Sequence, residues 1–203
     1  DTLSWARLGA RVTGVDFSGA AISAARDLAA EVELHASFIQ CDVYEISRQL
    51  DEQFDIVYSS YGVLCWLPDL DEWARAAARH VKPGGIFYLA DVHPLAHLLD
   101  DEGKKPEPGV RYFHDRVPFR SERHGSYVGG TVPFEQPLTY QWQHSLGEIV
   151  SAVSDAGLQV EYLHEFPMVP YEAFPGMIQE EGDWFHLPGD TWPLLFSLRA
   201  HRA

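Results

Sequence analysis

Short apolar runs alternate with longer amphipathic segments along the first half of the chain. Runs rich in β-branched and aromatic residues predict buried strands, at 12–16, 36–42, 54–60 and 86–92. Segments with apolar residues at helical spacing predict helices, at 1–9, 19–31 and 69–81. This alternation predicts a doubly wound, Rossmann-like α/β fold, with a mostly parallel sheet and helices on both of its faces.

The texture changes after the fourth predicted strand. From 94 to 140, Pro, Gly, His and charged residues interrupt short aromatic pieces such as 110–114 and 126–128. An irregular segment of this length is commonly a lid or a substrate loop. We therefore expect one domain over 1–203, with an inserted lid or substrate-binding region at about 94–140.

Regular structure is predicted again near the C-terminus. Ser145 and Glu148 have the spacing of a capping box, which predicts a helix that ends at Gly157. A strand at 159–166 and a final strand at 194–199 follow. No helix is predicted between these two strands, so we expect the final strand to be antiparallel to its neighbour.

Composition narrows the classes of function. A chain of 203 residues with 46% hydrophobic content can bury a sizeable core as one domain. Its formal charge of −15 argues against nucleic acid or an anionic membrane surface as the main partner, because both would repel most of the surface. A cationic ligand is compatible with this charge, and the sequence does not indicate the oligomeric state.

The cysteines and the apolar runs bear on location. Cys41 and Cys65 both lie in apolar settings, which favours neither a disulfide framework nor a thiolate metal site. No run approaches the ~18 apolar residues that a membrane span requires, and we find no secretion signal. These features predict a reduced, cytoplasmic protein.

Asp16 is the residue on which the functional hypothesis depends. It ends an apolar run and precedes Phe17 and Ser18, which is typical of an acid that binds ribose hydroxyls. Such an acid lies roughly 20 residues after a glycine-rich turn, and that count falls before Asp1. We therefore expect the first strand and its phosphate- or carboxylate-binding loop to be missing from this sequence.

Several motifs together carry a family likeness. They are the acid-ended run 12–16 with Phe17-Ser18, the turn Cys41-Asp42-Val43, the run 54–57, and the turn Val81-Lys82-Pro83-Gly84-Gly85. With the closing helix, strand and final strand, the chain resembles class I S-adenosylmethionine-dependent methyltransferases of the small-molecule type. The glycine-rich first motif of that family is absent here.

The resemblance implies a cofactor, S-adenosylmethionine, and roles for several residues. Asp16 would accept hydrogen bonds from the ribose hydroxyls, with Phe17 near the adenine and Ser18 beside them. Asp42 would accept from the adenine amino group, and Val43 would cover the ring. The residues that would line the methyl-transfer chamber are Ser59, Ser60 and Tyr61.

A general base is needed if the methyl acceptor is a hydroxyl or a protonated amine. His93, at the end of a predicted strand, and Tyr61 are the candidates for catalytic residues. His144 precedes the capping box and is either a base or a packing residue. Asp91, His93 and His97 have a spacing that could suit a metal, but no further ligand cluster lies near them, and we predict no metal site.

Aromatic residues in the later loops could form a wall around the acceptor. The candidates for substrate binding are Trp66, His93, Tyr112, Trp142 and Tyr171, with Phe113, Phe174 and Trp184 as further members of such a wall. The alternative for each aromatic residue is that it fills the core beneath a long loop.

Two other functions remain open at this point. A nicotinamide-dependent oxidoreductase shares the ribose acid, although the Lys82–Gly85 turn and the final strand argue against it, and we find no Tyr-x-x-x-Lys pair. A binding protein that keeps the fold without turnover is compatible with the absence of the glycine-rich motif.

Overall fold

The computed structural model describes residues 1–100, 103–106, 109–122 and 137–203. The predicted aromatic piece at 126–128 lies outside these ranges. The helices are α1 (Thr2–Arg7), α2 (Gly19–Glu31), α3 (Ile46–Gln49), α4 (Leu70–Arg79) and α5 (Leu146–Asp155). The strands are β1 (Val12–Asp16), β2 (Ala36–Gln40), β3 (Phe54–Ser60), β4 (Val81–Val92), β5 (Phe119–Glu122), β6 (Leu138–Gln141), β7 (Leu158–Phe166), β8 (Met168–Val169), β9 (Ile178–Glu180), β10 (Trp184–His186) and β11 (Leu195–Arg202).

A four-stranded sheet forms the centre, in the order β3-β4-β11-β7. β3 and β4 are parallel, whereas β11 is antiparallel to both β4 and β7. The prediction of an antiparallel final strand is therefore confirmed. β11 extends to Arg202, beyond the predicted end at 199, because it pairs along its length with a strand on each side.

The predicted turn before the fourth strand is a bulge within it. Phe54 pairs with Val81 and Ile56 with Ile86, so residues 82–85 protrude from the pairing with β3. Gly84 has a φ of +74°, and a Cβ atom at Gly85 would lie 2.9 Å from the carbonyl oxygen of Lys82. Two glycines are needed here because one residue is left-handed and the other has no room for a side chain.

β1 and β2 form a separate, parallel two-stranded sheet. Within the described ranges β1 pairs only with β2, and β3 pairs only with β4. α1 connects the two sheets, because it lies beside β1 and its Trp5 packs edge-on against Tyr58 of β3, with ring centroids 5.4 Å apart. The prediction of an earlier strand, missing from this sequence, stays a prediction.

The main core lies on the other face of the four-stranded sheet. Phe87 and Leu89 of β4 alternate with Tyr88, which stacks with Tyr58 on the α1 side. Their core partners from the neighbouring elements are Trp73, Ala74 and Ala78 of α4, Ile149, Ala152 and Val153 of α5, and Phe196, Leu198 and Ala200 of β11. Helices α4 and α5 thus cover one face, and α1 contacts the other through Trp5.

Caps fix the ends of the helices that cover the core. The Asp69 side chain accepts a hydrogen bond from the backbone N–H of Glu72 at 2.9 Å, so α4 begins at Leu70. At α5, Ser145 Oγ accepts from the Glu148 N–H at 3.2 Å, and Glu148 Oε2 accepts from the Ser145 N–H at 2.7 Å. The predicted capping box is therefore confirmed.

Irregular segments carry two small additional sheets. β5 and β6 pair as an antiparallel hairpin inside the predicted insertion, and β8, β10 and β9 form a three-stranded sheet after β7. Val169 of β8 and Leu187, which directly follows β10, pack with Ala96, Leu194 and Leu195 in a smaller apolar cluster. The loops at this end of the molecule therefore have a core of their own.

A central position in β11 tests this account of the core. Leu198 is fully buried between β4 and β7, and we expect Leu198→Ala to lower the free energy of unfolding by about 2 to 5 kcal/mol through lost burial and a residual cavity. Leu8→Ala, the same change at a residue with 78% exposure, should stay within about 0.5 kcal/mol of wild type. Urea unfolding measures both, and equal losses would contradict this packing.

Candidate active site

Polar residues from different strands meet at the carboxyl edge of the sheets. Asp16 is opposite Gln40 in the parallel pair β1-β2, so Asp42 lies just beyond the same edge. Ser60 is opposite Ala90 in the parallel pair β3-β4, which places Tyr61 just beyond β3 and Asp91 near the end of β4. In open α/β sheets, ligands bind in the crevice outside these strand ends.

Asp16 is held by the backbone that follows it. Its Oδ1 accepts a hydrogen bond from the Ser18 N–H at 2.7 Å, and Ser18 Oγ accepts from the Ala21 N–H at 3.2 Å. These two bonds form an Asx turn and the N-cap of α2. The Asp16 side chain is exposed, and its Oδ2 takes no part in this turn.

Asp42 repeats the arrangement on the next strand. Its Oδ1 accepts from the Tyr44 N–H at 3.0 Å, two residues on, and the side chain is exposed. Val43 is half-buried against the main core, and the Tyr44 hydroxyl donates to the carbonyl oxygen of Asp69 at 3.2 Å. Two neighbouring strands therefore each end in an exposed carboxylate with a fixed orientation.

Phe17 projects beside these acids. It is 77% exposed, which leaves its ring open to solvent at the strand ends. Its carbonyl oxygen accepts a hydrogen bond from Gln40 Nε2 at 3.4 Å, which ties the loop after β1 to the end of β2.

The turn after β3 contains the other predicted residues. Ser59 and Ser60 are half-buried, and Ser60 Oγ donates to Asp1 Oδ2 at 2.5 Å. Tyr61 is 47% exposed and has a φ of +31°, while its N–H donates to the Ala90 carbonyl oxygen at 2.7 Å. A positive φ is uncommon outside glycine and marks a sharply bent turn.

Asp91 is a residue whose role the sequence did not reveal. It is 2% exposed and accepts hydrogen bonds from the N–H groups of Gly62, Val63 (3.2 Å), Leu64 (3.1 Å) and Val92 (2.7 Å). Burial raises the pKa of Asp91, while these four N–H groups oppose that rise by stabilising the carboxylate. From the sequence it was considered only as a possible metal ligand. Hydrogen bonds from backbone N–H groups do not depend on residue type, so the sequence does not reveal them.

His93 is buried rather than open to the crevice. The Leu95 N–H donates to Nδ1 at 3.1 Å, so the ring proton is on Nε2, which donates to Glu165 Oε1 at 2.8 Å. Burial lowers the pKa of His93, partly offset by Glu165. With 1% exposure and both nitrogens hydrogen bonded, His93 does not fit its predicted roles as base and substrate ligand.

His144 also has a structural setting. Its Nε2 donates to the Leu67 carbonyl oxygen at 2.7 Å, and its ring stacks on His114 with centroids 4.6 Å apart. Burial lowers the pKa of His144, and the nearby His114 adds to this effect. Of the two readings of His144, the geometry favours packing.

The predicted aromatic wall is brought together only in part. Trp66 is 44% exposed and follows the turn after β3, and the Trp142 N–H donates to the Cys65 carbonyl oxygen at 2.7 Å. The Tyr112 hydroxyl instead accepts from the Leu146 N–H at the start of α5, at 3.1 Å. Tyr171 lies beyond β8, on the segment that builds the smaller apolar cluster.

The described residues contain neither a cluster of metal ligands nor a membrane-spanning helix. Among the residues that the structure describes, no group of three or more His, Cys, Asp or Glu side chains is arranged to hold a metal ion. No helix in the same ranges has the length and apolar character required to cross a membrane.

Comparison with known proteins explains the arrangement at the strand ends. Residues 1–89 match the family model of a methyltransferase domain. Over these residues the chain is similar to that family. The resemblance to class I S-adenosylmethionine-dependent methyltransferases is thereby confirmed, and β1, β2 and β3, with Asp16 and Asp42, lie within the matched residues.

Named relatives and solved structures extend the comparison beyond the methyltransferase domain. A ubiquinone biosynthesis O-methyltransferase from Alkalilimnicola ehrlichii is 39% identical over 96 residues, which is 46% of this chain and 38% of the relative. A similar enzyme from Aeromonas salmonicida is 29% identical over 127 residues, 62% of this chain and 50% of the relative. The chain thus spans half or less of the length of these curated relatives.

Two solved structures share the fold over nearly the whole chain. An S-adenosylmethionine-dependent methyltransferase from Methanosarcina mazei has a TM-score of 0.60 at 17% identity, covering 98% of this chain and 85% of the other. A glycopeptide N-methyltransferase in complex with S-adenosylmethionine has a TM-score of 0.58 at 17% identity, covering 100% of this chain and 82% of the other. At such identity the likeness concerns the fold.

The buried His144 gives a prediction about pH. Because the pKa of His144 is lowered in the folded state, the unfolded state binds more protons near and below pH 6.5. The free energy of unfolding therefore decreases as the pH falls through this range. His144→Gln keeps a donor for Leu67 without a titrating ring. We expect its free energy of unfolding to depend less on pH between about 5.5 and 7.5, by at most about 1.4 kcal/mol per pH unit.

Urea unfolding at several pH values measures this difference. The same substitution at His35, an exposed residue before β2, is the matched control. A slope in His144→Gln equal to that of wild type would show that the ring is equally protonated in the folded and unfolded states.

Proposed function

We propose that this protein transfers a methyl group from S-adenosylmethionine to a small-molecule acceptor. The observation that carries the proposal is the pair of exposed, oriented carboxylates, Asp16 and Asp42, at one edge of two neighbouring parallel strands. The matched methyltransferase domain over residues 1–89 supports the same assignment.

The residues present fit the nucleoside part of that cofactor. Ribose hydroxyls and the adenine amino group are hydrogen-bond donors, and each acid has a second carboxylate oxygen, Oδ2, outside its own turn. Asp16 would hold the ribose and Asp42 the adenine, with Phe17 and Val43 providing apolar contact on the ring faces. The exposed ring of Phe17 has no other evident use at this edge.

Methyl transfer makes modest demands on the protein. When bound, the cofactor supplies an electrophilic methyl group on a sulfonium centre. The reaction is an in-line displacement, so the protein accelerates it mainly by aligning the acceptor and excluding water. The half-buried Ser59 and Ser60 and the exposed Tyr61 would line the chamber beside the strand ends.

A base, if the acceptor requires one, is Tyr61 rather than His93. The Tyr61 side chain is about half exposed next to the crevice, whereas His93 already donates to Glu165. Trp66 and Trp142, which the turn after β3 brings close together, are the aromatic residues best placed to contact the acceptor. The O-methyltransferase relatives favour an oxygen atom as the methyl acceptor.

The insertion and the cellular setting complete the proposal. We infer that residues 94–140 contribute to a cover over the acceptor, since the β5-β6 hairpin leads into Trp142. Cys41 and Cys65 are not joined in a disulfide bond, in keeping with a cytoplasmic protein. A small molecule, not nucleic acid, remains the expected partner of a chain with a charge of −15.

Calorimetric titration with S-adenosylhomocysteine and with NAD tests the cofactor. We expect binding of the first alone. Heat with NAD only would end the methyltransferase proposal. Binding of S-adenosylhomocysteine with no transfer of labelled methyl groups to any small molecule of a cell extract would leave a binding protein with the same fold.

Single substitutions locate the site. Asp16→Ala and Asp42→Ala should each weaken binding of S-adenosylhomocysteine by about 1 to 3 kcal/mol, the cost of lost hydrogen bonds to a charged acceptor. Asp55→Ala is the matched control, because Asp55 is an exposed acid at the opposite end of β3, paired with Lys82 at 2.9 Å. If the three variants bind equally well, the two acids do not belong to the site.

A further inference from the structure

The Asp91 carboxylate stands out as a buried group that the proposed chemistry does not use. It is 2% exposed, and within the described ranges every hydrogen bond to it comes from a backbone N–H. A charge that is removed from water is retained only where its partners replace the lost hydration. Four N–H groups do so here, which indicates that the carboxylate serves the backbone that surrounds it.

The donors are consecutive residues of one turn. Gly62, Val63 and Leu64 all point their N–H groups at Asp91, and the fourth donor is Val92 on the same strand. Successive N–H groups that converge in this way form a concave site for an anion. In this protein the anion is a side chain from the adjacent strand, β4.

This turn is bent in a manner that needs support. Tyr61 has a φ of +31° and Gly62 a φ of +81°, so two successive residues lie in the left-handed region, one of them with a side chain. Such backbone persists only where the surrounding structure holds it. The Tyr61 N–H bond to Ala90 and the three bonds from residues 62–64 to Asp91 join the turn to the end of β4 on both sides of the bend.

We propose that Asp91 is a positioning residue that fixes the turn 61–64 and thereby places Tyr61 and Trp66 at the strand ends. The proposal rests on the proposed function, because it assigns those two residues to the border of the cofactor and acceptor site. Asp91 itself touches neither ligand. Its effect on the site passes through the backbone of the turn.

Hydrogen exchange of the protein without ligand tests the hold on the turn. In Asp91→Asn, an almost isosteric change, an amide nitrogen replaces one acceptor oxygen, so the N–H groups of residues 62–64 should exchange at least about tenfold faster. Val153→Ala, at a fully buried position in the last turn of α5, is the control for a general loss of stability. Exchange at 62–64 that rises no more than in this control would overturn the proposal.

Affinity for S-adenosylhomocysteine tests the effect on the site. We expect Asp91→Asn to weaken binding about tenfold, and Val153→Ala by less than about twofold, because only the first alters the turn. Gly62→Ala provides a second variant in case Asp91→Asn does not fold, since alanine resists a φ of +81° while the buried carboxylate is unchanged. It should weaken binding in the same way.

Faster exchange at 62–64 with unchanged affinity in both variants would show that the turn does not support the site, and would overturn the proposal. Failure of the wild-type protein to bind S-adenosylhomocysteine is a different result. It would refute the proposed function, whereas the exchange measurement would still decide whether Asp91 holds the turn.

Discussion

Backbone N–H groups that hold carboxylates are the interaction on which the carboxyl edge of this protein depends. Asp16 accepts from Ser18, Asp42 from Tyr44, and Asp91 from three residues of the turn after β3 and from Val92. No cationic side chain takes part in these described bonds. In this acidic chain, with a charge of −15, backbone N–H groups therefore orient these acids, and ion pairs with Lys or Arg are not required.

The three acids differ in what their bonds leave for a ligand. Asp16 and Asp42 each use one oxygen in a local turn and remain exposed, so an incoming hydroxyl or amino group can reach them. Asp91 is buried and its bonds fix the loop beside the crevice. The half of the edge formed by β1 and β2 therefore suits direct contact with a ligand, and the half formed by β3 and β4 suits support of the loop that faces it.

The sequence predicted the elements whose periodicity reflects burial on one face. α4 begins after the capping residue Asp69, and β11 is antiparallel because no helix precedes it. The separation into two sheets could not be read from the chain, because pairing between distant strands has no local signal. The Asp16 and Asp42 turns were predictable because an acid after an apolar run acts on its own neighbours in sequence.

Three of the candidate residues are held by partners elsewhere in the chain. His93, Tyr112 and His144 were predicted from residue type, yet each is committed to a partner far along the chain: Glu165, Leu146 and Leu67. A histidine at a strand end can point towards solvent or into the protein. Its orientation depends on whether a carboxylate inside the protein can accept a hydrogen bond from the ring. For His93, the hydrogen bond to Glu165 near the end of β7 fixes the orientation of the ring. That bond spans β11 and links the ends of β4 and β7, so it holds His93 in place, whereas the proposed base, Tyr61, is more exposed.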